Sequence, residues 1–331
     1  MSDGTGGIVS GPRYVAQAEL TETLPLPAAI GALERGFAAL GEQPLEVTPR
    51  IALSMPRDGV RPEGEMLLMP AFGPHGAGTK LVTICPENPG RGVALIQGLY
   101  VLFSQTSLTP ELLIDGSALT NLRTAAVSAL ATRHLAREDS RRLVVFGAGV
   151  QASAHVEAMR AVLPIETVTI VASSPASARG HELVARLRAA DIEASAGTPD
   201  AVAAADVVCT CTTSTSPVFD GAAVVRGTHI NAIGAYRPDL RELDGSLLAR
   251  STIVVETREA ALAEAGDILQ AIAAGQLRND GFAHELADVI AGRARRSSEE
   301  QITVFKSVGV AIEDLIIARA VADRLRTAER V

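Results

Sequence analysis

The chain of 331 residues has no tryptophan, only three cysteines and no long basic run. Three cysteines in a chain of this length do not make a disulfide framework. Cys209 and Cys211 lie in an apolar run without further metal ligands nearby in sequence, so we expect core packing and predict no metal site. The net charge is −8, and the short cluster Arg293–Arg296 is predicted to be a solvated helix end or loop. An acidic chain without a basic stripe is not expected to bind nucleic acid.

The sequence also lacks the marks of a signal peptide and of a membrane span. Met1–Pro12 is polar and rich in glycine, without the basic and apolar regions of a secretory leader. The longest apolar stretch, Val93–Phe103, is too short to cross a bilayer and contains Gln97 and Gly98. We therefore expect a cytoplasmic protein with no membrane partner.

Hydrophobic residues make up 47% of the chain, mostly aliphatic ones, and its length suggests two domains. The first part is predicted to be β-rich, with one helix at Leu26–Leu40 and an exposed hairpin loop at Pro56–Glu63. Its strands are expected at Arg50–Ser54, Glu65–Ala71, Gly78–Cys85 and Ala94–Ser104.

A turn at Asp115–Ser117 and an alanine-rich helix at Thr120–Arg137 precede a region in which strands and helices alternate. Such alternation predicts a parallel, doubly wound sheet of the Rossmann type, in an α/β fold. Thr303–Arg326 is predicted to be one long helix that returns to the first domain. The predicted domains are therefore 1–138 with 305–331, and 139–304. The predicted strands of the sheet are Leu143–Phe146, Val168–Ala172, Asp206–Thr210, His229–Ile233 and Thr252–Glu256.

A glycine-rich turn follows the first of these strands and reads Gly147-Ala148-Gly149-Val150-Gln151-Ala152. In such a turn the first glycine permits the tight bend, the second lets a diphosphate approach the backbone, and the small last residue lets the helix pack on the strand. The N-terminus of the helix offers N–H groups and a positive dipole to the anion. Strand, turn and helix together predict that a nicotinamide dinucleotide binds here. The alternative is an ordinary turn that binds nothing.

The choice between NADP(H) and NAD(H) is made at the end of the second strand, where an acidic residue would bind the ribose hydroxyls. This sequence has no acid there. Ser173 and Ser174 follow the strand, and Arg179 lies one helical turn later. The pattern favours NADP(H), with NAD(H) as the alternative. In another interpretation, Ser173 and Ser174 only cap the next helix.

Three cations stand in apolar or small-residue surroundings in the first part of the chain: Arg50, Lys80 and Arg123. Arginine suits bidentate binding of a carboxylate, whereas lysine acts as a point charge or a proton donor. The three side chains are candidates for binding one substrate carboxylate. Their spacing alone favours the alternative of scattered surface charges.

The sequence resembles the ornithine cyclodeaminase/mu-crystallin family over nearly its whole length. The matching stretches are Thr48–Arg50, Met69–Ala71, Gly78–Lys80, Ile114–Gly116, Leu119–Ala126, Gly147–Ala152, Asp206–Thr212, His229–Ala235, Arg241–Asp244 and Val304–Gly309.

The resemblance implies a homodimer whose first domain binds substrate and dimerises and whose second domain is of the Rossmann type. It places Arg50, Lys80 and Arg123 at substrate-carboxylate positions, which reverses the preference for scattered charges. The residues that we expect to bind the cofactor are Thr124, Gly147, Gly149, Val150, Gln151, Ser173, Ser174, Arg179, Thr212, Ile233, Gly234 and Ser307.

One position departs from the cyclodeaminase pattern. Where cyclodeaminases and related alanine dehydrogenases have an aspartate, this chain has Tyr236. A phenol is neutral near pH 7 and cannot replace a carboxylate as the partner of an ammonium group. The run Arg237–Leu243 is instead similar to the ketimine-reductase branch of the family.

The sequence thus predicts an enzyme that reduces a cyclic ketimine carboxylate with NAD(P)H. Its substrate would be a small imino or amino acid, and Lys80, Arg50, Arg123 and Tyr236 would form its catalytic set. One alternative is an ornithine or lysine cyclodeaminase or an alanine dehydrogenase-like enzyme, in which Asp239 supplies the missing carboxylate. Another is a protein that binds a ligand in the presence of NADPH without turnover.

Overall fold

A computed structural model describes residues 11–40, 46–47, 49–57, 63–73, 75–282 and 284–329. Most of the predicted hairpin loop at Pro56–Glu63 therefore lies outside the described residues. The strands are β1 Arg13–Val15, β2 Glu46–Val47, β3 Ile51–Met55, β4 Gly64–Gly73, β5 Gly76–Ile84, β6 Ile96–Phe103, β7 Pro110–Asp115, β8 Arg142–Phe146, β9 Thr167–Val171, β10 Glu193–Ala196, β11 Val207–Thr210, β12 His229–Ala232, β13 Thr252–Val255, β14 His284–Glu285 and β15 Thr303–Lys306. The helices are α1 Gln17–Thr23, α2 Leu26–Leu40, α3 Gly116–Leu135, α4 Val150–Val162, α5 Ala178–Ala189, α6 Gly245–Ala249, α7 Arg258–Glu264, α8 Gly266–Ala273, α9 Leu286–Ile290 and α10 Ala311–Ala328.

The chain divides into two compact units. The first contains residues 1–25, 43–120 and 311–331, and the second contains 26–42 and 121–310. The sequence assigned 26–42, 121–138 and 305–310 to the first domain, and its domain boundaries remain a prediction. Among the described residues, every helix falls short of the length and apolar character that a membrane crossing requires.

The first unit is built on a mixed sheet with the strand order β1-β7-β6-β5-β4-β2, and β3 also pairs with β4. The pairing of β1 with β7 is parallel, and the remaining pairs are antiparallel. Helix α10 packs on β4, β5 and β6. Alternate residues of β5 are buried, namely Gly76, Gly78, Lys80 and Val82. Lys80 therefore occupies a core position in the strand pattern.

The second unit is built on a parallel sheet with the strand order β10-β9-β8-β11-β12-β15-β13-β14. The chain moves outward from β8 through β9 to β10 and then returns to β11 on the other side of β8. The order reverses between β8 and β11, and open sheets of this class bind ligands beyond the carboxyl ends of the strands at such a point. The predicted α/β class is confirmed.

The prediction of one helix over Thr303–Arg326 is wrong. Thr303–Lys306 forms β15, which lies between β12 and β13 in the parallel sheet, and α10 begins only at Ala311. All four residues of β15 are buried. A short strand covered on both faces has no polar alternation, so its pattern cannot be told from the start of a buried helix.

The predicted turn at Asp115–Ser117 is also wrong, because α3 already begins at Gly116. The carboxylate of Asp115 accepts hydrogen bonds from the backbone N–H groups of Ser117 and Ala118, both at 2.9 Å. A turn-forming acid followed by glycine is thus a helix cap in this chain.

The basic cluster Arg293–Arg296 is not uniformly solvated. Arg296 is partly buried and donates hydrogen bonds to the carbonyl oxygens of Leu135 and Gly227. Burial lowers the pKa of its guanidinium. The prediction of a solvated cluster is therefore wrong for Arg296. Its guanidinium connects the end of α3 to the loop before β12 through these hydrogen bonds.

Candidate active site

The glycine turn after β8 has the geometry that its sequence predicts. Gly147 has a φ of +112°, and a Cβ there would lie 2.6 Å from the carbonyl oxygen of Cys211. Only glycine fits both conditions. Ala152 is fully buried, which lets α4 approach the sheet closely.

Gly149, the second glycine of the turn, faces open space. It is the residue before the first turn of α4, and a Cβ on it would meet no protein atom within 4 Å. Val150 follows it at the first helical position and is 68% exposed. Because the first backbone N–H groups of a helix have no partners within the helix, this end can bind an anion such as a diphosphate.

A buried carboxylate, that of Glu242, joins the loops that follow β11 and β12. Its Oε1 accepts from the backbone N–H and the hydroxyl of Thr212 at 2.7 and 2.8 Å. Its Oε2 accepts from the backbone N–H of Gly234 at 2.7 Å and from the Thr210 hydroxyl at 2.8 Å. Complete burial raises the pKa of Glu242. The carboxylate thus fixes Thr212 and Gly234, two of the predicted cofactor residues, relative to each other.

The backbones of these two loops touch. A Cβ on Gly234 would overlap the carbonyl oxygen of Thr212 and would lie 2.6 Å from Glu242 Oε1. Ile233, before it, is buried. Only glycine fits at position 234, because the atoms it meets are backbone and a hydrogen-bonded carboxylate.

A second buried carboxylate fixes the backbone of Glu242 itself. Asp267 Oδ1 accepts from the N–H groups of Glu242 and Leu243 at 2.6 and 2.8 Å. Asp267 Oδ2 lies 2.8 Å from Nζ of Lys306, and both side chains are fully buried. Removing one partner of such a buried ion pair would leave an uncompensated charge in the core, so each of the two side chains depends on the other.

Helices α3 and α4 are joined by two side-chain contacts. Gln151 donates to Asn121 Oδ1 at 3.0 Å, and His155 Nε2 lies 3.0 Å from the Ser128 hydroxyl. Burial lowers the pKa of His155 to about 4, so this ring is neutral near pH 7. The contacts fix the helix that carries Arg123 and Thr124 against the helix that begins at the glycine turn.

The residues predicted to select the cofactor lie on the surface after β9. Ser173, Ser174 and Arg179 are all exposed. Helix α5 begins at Ala178, and its cap is Ser177, whose hydroxyl accepts from the N–H of Gly180 at 3.3 Å. The alternative in which Ser173 and Ser174 cap this helix is therefore wrong, and their hydroxyls are not used as helix caps.

Lys80 is held inside the first unit by an aspartate of α10. Its Nζ lies 2.8 Å from Oδ2 and 3.0 Å from Oδ1 of Asp314, and both side chains are buried. Tyr100 is the partner of Lys80 across the sheet and is fully buried. Burial and the charge of Asp314 raise the pKa of the Tyr100 hydroxyl well above its usual value. Lys80 therefore has two buried neighbours, the ion-pair partner Asp314 on α10 and the cross-strand partner Tyr100 on β6.

Arg123 and Thr124 are buried near the start of α3, in the second unit. The Arg123 guanidinium packs against Gly309, because a Cβ there would overlap Nη1 and would lie 2.6 Å from Nη2. Ser307, two residues earlier, is buried and donates its hydroxyl to Glu256 at 2.6 Å. Its contact with a cofactor remains a prediction.

The remaining catalytic candidates are less enclosed. Arg50 precedes β3 in the first unit and is partly exposed. Tyr236 is partly buried and packs against the core of the second unit. Arg50 and Lys80 belong to one unit and Arg123 to the other, so their action on one carboxylate remains a prediction.

Sequence reasoning did not single out Asp314, Glu242 or Glu256 as site residues. Asp314 and Glu256 have partners that are distant in sequence, with Lys80 and Asp314 234 positions apart and Ser307 and Glu256 51 positions apart. Glu242 has one partner 30 positions away, Thr212, and one only eight positions away, Gly234. One local signal was present for Glu256, which directly follows the buried strand β13. An acid at the carboxyl end of a buried parallel strand needs hydrogen-bond or ion-pair partners within the core, or it binds a ligand at that end of the sheet. Among the described residues, no group of three His, Cys, Asp or Glu side chains is arranged to hold a metal ion.

Comparison with known proteins places this chain in a family. The model of the ornithine cyclodeaminase/mu-crystallin family matches residues 13–329. The chain belongs to this family. The family predicted from the sequence is therefore confirmed.

Two relatives and one solved structure show where the chain lies in the ornithine cyclodeaminase/mu-crystallin family. It is 37% identical over 265 residues to a Δ1-pyrroline-2-carboxylate reductase of Bacillus cereus, covering 78% of this chain and 81% of the relative. It is 36% identical over 301 residues to the ketimine reductase mu-crystallin of Mus musculus, covering 90% of each. The structure of Thermococcus litoralis Δ1-pyrroline-2-carboxylate reductase in complex with NADH and L-proline matches with a TM-score of 0.88 at 29% identity, covering 96% of this chain and 98% of that one. The prediction of an imine reductase agrees with these names.

Proposed function

We propose that the protein reduces the C=N bond of a cyclic ketimine carboxylate with NAD(P)H. Δ1-Pyrroline-2-carboxylate would give L-proline, and Δ1-piperideine-2-carboxylate would give L-pipecolate. The observation that carries the proposal is the glycine turn, which is open at Gly149, in a chain 37% identical to a Δ1-pyrroline-2-carboxylate reductase. The Thermococcus litoralis relative binds NADH and L-proline, which supports both the cofactor class and the product class.

The second unit would hold the cofactor. The N-terminus of α4 and the open face of Gly149 suit its diphosphate. The loops fixed by Glu242, at Thr212 and at Ile233–Gly234, and Thr124 would bind the remainder. When bound, the nicotinamide supplies the hydride that reduces the C=N carbon. The preference for NADP(H) is supported by the exposed hydroxyls of Ser173 and Ser174, with Arg179 nearby on α5.

The substrate carboxylate would be bound by arginine. The guanidinium of Arg123 is buried against Gly309, so packing limits its orientations before a ligand arrives. Arg50 would supply a second guanidinium, and planar guanidinium groups match a carboxylate bidentately. Prior orientation of a binding group lowers the barrier, because the alignment does not have to be achieved during the reaction.

Lys80 would donate a hydrogen bond to the carboxylate or to the imine nitrogen. Asp314 keeps its ammonium group in one position, with both carboxylate oxygens within 3.0 Å. A positive group at the imine favours the charge distribution that accepts hydride at carbon. Tyr236 would form an apolar wall beside the ring of the substrate.

Asp239 does not favour the cyclodeaminase alternative. That alternative needs a carboxylate for the distal amine of the substrate, and Asp239 was its candidate. Arg237 binds both oxygens of Asp239, at 2.7 and 3.0 Å, and lowers the pKa of this carboxyl. A homodimer remains part of the proposal, supported by the exposed apolar side chains of Ile51, Leu53 and Met55 along β3.

The proposal predicts that the purified protein oxidises NADPH when Δ1-pyrroline-2-carboxylate or Δ1-piperideine-2-carboxylate is added, with a higher kcat/KM than for NADH. The measurement is the loss of absorbance of either cofactor with each cyclic imine and with pyruvate plus methylamine. Ammonia release from ornithine or lysine without net cofactor oxidation would favour a cyclodeaminase. NADPH binding without turnover of any imine would favour a ligand-binding protein.

A further inference from the structure

The segment Ser307–Gly309, between β15 and α10, is fixed by one buried carboxylate. Glu256 is 2% exposed and follows β13, the strand beside β15. Its Oε1 accepts from the Ser307 hydroxyl at 2.6 Å and from the N–H of Gly309 at 2.9 Å, and its Oε2 accepts from the N–H of Val308 at 2.8 Å. Three donors meet two oxygens, and among side chains only a carboxylate accepts on both.

The Arg123 guanidinium packs against the backbone at Gly309. Gly309 has a φ of +77°, in the left-handed region that favours glycine. The guanidinium lies directly against it, since an added Cβ would lie 2.6 Å from Nη2 and 2.9 Å from Cζ. A shift of the backbone at Gly309 would therefore move the guanidinium or open a gap beside it.

We propose that Glu256 is a positioning residue for recognition of the substrate carboxylate, acting through Gly309 and Arg123. The inference rests on the proposed function, in which Arg123 binds that carboxylate. Glu256 contacts neither substrate nor cofactor in this scheme. It fixes the loop that supports Arg123, as Glu242 fixes the loops assigned to the cofactor.

The substitution Glu256→Gln distinguishes the hydrogen bonds accepted by the carboxylate from the packing contribution of the side-chain volume. Glutamine has nearly the same volume, but one of its two terminal groups is an NH₂ donor. That group would face either the N–H of Val308 or that of Gly309, so one loop hydrogen bond is lost and two donors oppose each other. The loop then shifts, and Gly309 with it.

The test is a double-mutant cycle with Arg123→Lys, a variant that keeps the charge but loses the planar guanidinium. Alone, Glu256→Gln should raise the KM for Δ1-pyrroline-2-carboxylate about tenfold or more, because a displacement of about 1 Å can cost about 100-fold. In the Arg123→Lys background it should add less than about twofold, since residues that act through one contact are non-additive. The Kd for NADPH, measured by its fluorescence, should rise much less than the KM, although Glu256 also binds the hydroxyl of Ser307, a predicted cofactor residue.

Two further variants keep the inference testable if Glu256→Gln folds poorly. Glu256→Asp retains a carboxylate and should restore part of the lost affinity for substrate. Gly309→Ala places a methyl group where the guanidinium lies, and should raise KM in the same way while the Glu256 carboxylate is retained. The matched control is Glu242→Gln, which should raise the Kd for NADPH and should combine additively with Arg123→Lys.

Equal effects of Glu256→Gln in both backgrounds would overturn the inference and leave the proposed function intact. A rise in the Kd for NADPH as large as the rise in KM would overturn it in the same way. If the wild-type protein reduces neither cyclic imine, the proposed function fails, and the role of Glu256 fails with it.

Discussion

Replacing Gly149 by alanine should weaken NADPH binding by about 10- to 100-fold, since lost hydrogen bonds to a charged group cost about 1.5–3 kcal/mol. The added methyl group would stand in the open space where the diphosphate is proposed to approach the backbone. The fold should tolerate the change, because Gly149 has a φ of −88° and no protein atom lies near the new Cβ. We expect the free energy of unfolding to change by less than about 1 kcal/mol, as for an altered helix cap. Fluorescence titration with NADPH and thermal unfolding measure the two effects.

Two other alanine variants serve as references for Gly149→Ala. Gly90 also has open space around its Cβ position, lies far from the turn in sequence and has no proposed ligand, so Gly90→Ala should change neither stability nor binding. Gly234→Ala should reduce both, because its Cβ would overlap the Thr212 carbonyl oxygen. Unchanged NADPH affinity in a folded Gly149→Ala protein would contradict the assignment of the diphosphate to this turn.

Replacing Lys80 by methionine should lower the free energy of unfolding by about 3–5 kcal/mol, because it removes one partner of a buried ion pair. It should also lower kcat/KM for the imine by about 10- to 100-fold, since a hydrogen bond from a charged group contributes about 1.5–3 kcal/mol. Chemical denaturation and NADPH oxidation measure the two losses. Lys80 and Lys306 are the only lysines in the sequence. In NMR spectra of the protein with isotopically labelled lysine, the signal of Lys80 therefore stands beside that of only one other lysine and reports on its ion pair with Asp314.

A second substitution separates the two effects of Lys80→Met. Adding Asp314→Asn removes the carboxylate that has lost its lysine partner, and should recover part of the stability without recovering activity. A Lys80→Met protein with the kcat/KM of the wild type would exclude Lys80 from the reaction. One with the stability of the wild type would contradict the ion pair with Asp314.

Local patterns in the sequence predicted most of the fold. The helix at Leu26–Leu40 was predicted with the bounds that the structure has, because its apolar residues recur at the helical period. The strand, turn and helix around Gly147 were predicted because each part of that motif is contiguous in sequence. β15 was missed because its neighbours β12 and β13 are distant in sequence, and nothing in Thr303–Lys306 itself distinguishes a strand from a helix.

The partners of the site residues could not be predicted in the same way. Lys80 and Arg123 were singled out as cations in apolar surroundings, but the acid beside Lys80 lies on α10, 234 residues later. Glu256 and the Ser307 hydroxyl are 51 residues apart and meet only because β13 and β15 are neighbours in the sheet. Such pairings depend on strand order, which single-residue patterns do not encode.

The transfer of deuterium from NADPH labelled at C4 of the nicotinamide tests the central proposal most directly. The protein, Δ1-pyrroline-2-carboxylate and cofactor carrying the label on the transferred face are incubated together, and the product is analysed by mass spectrometry and NMR. We predict L-proline with one deuterium at the α-carbon, formed in proportion to the NADPH consumed. Proline without deuterium at that carbon, or no proline at all, would contradict the reduction of the C=N bond by hydride from the cofactor.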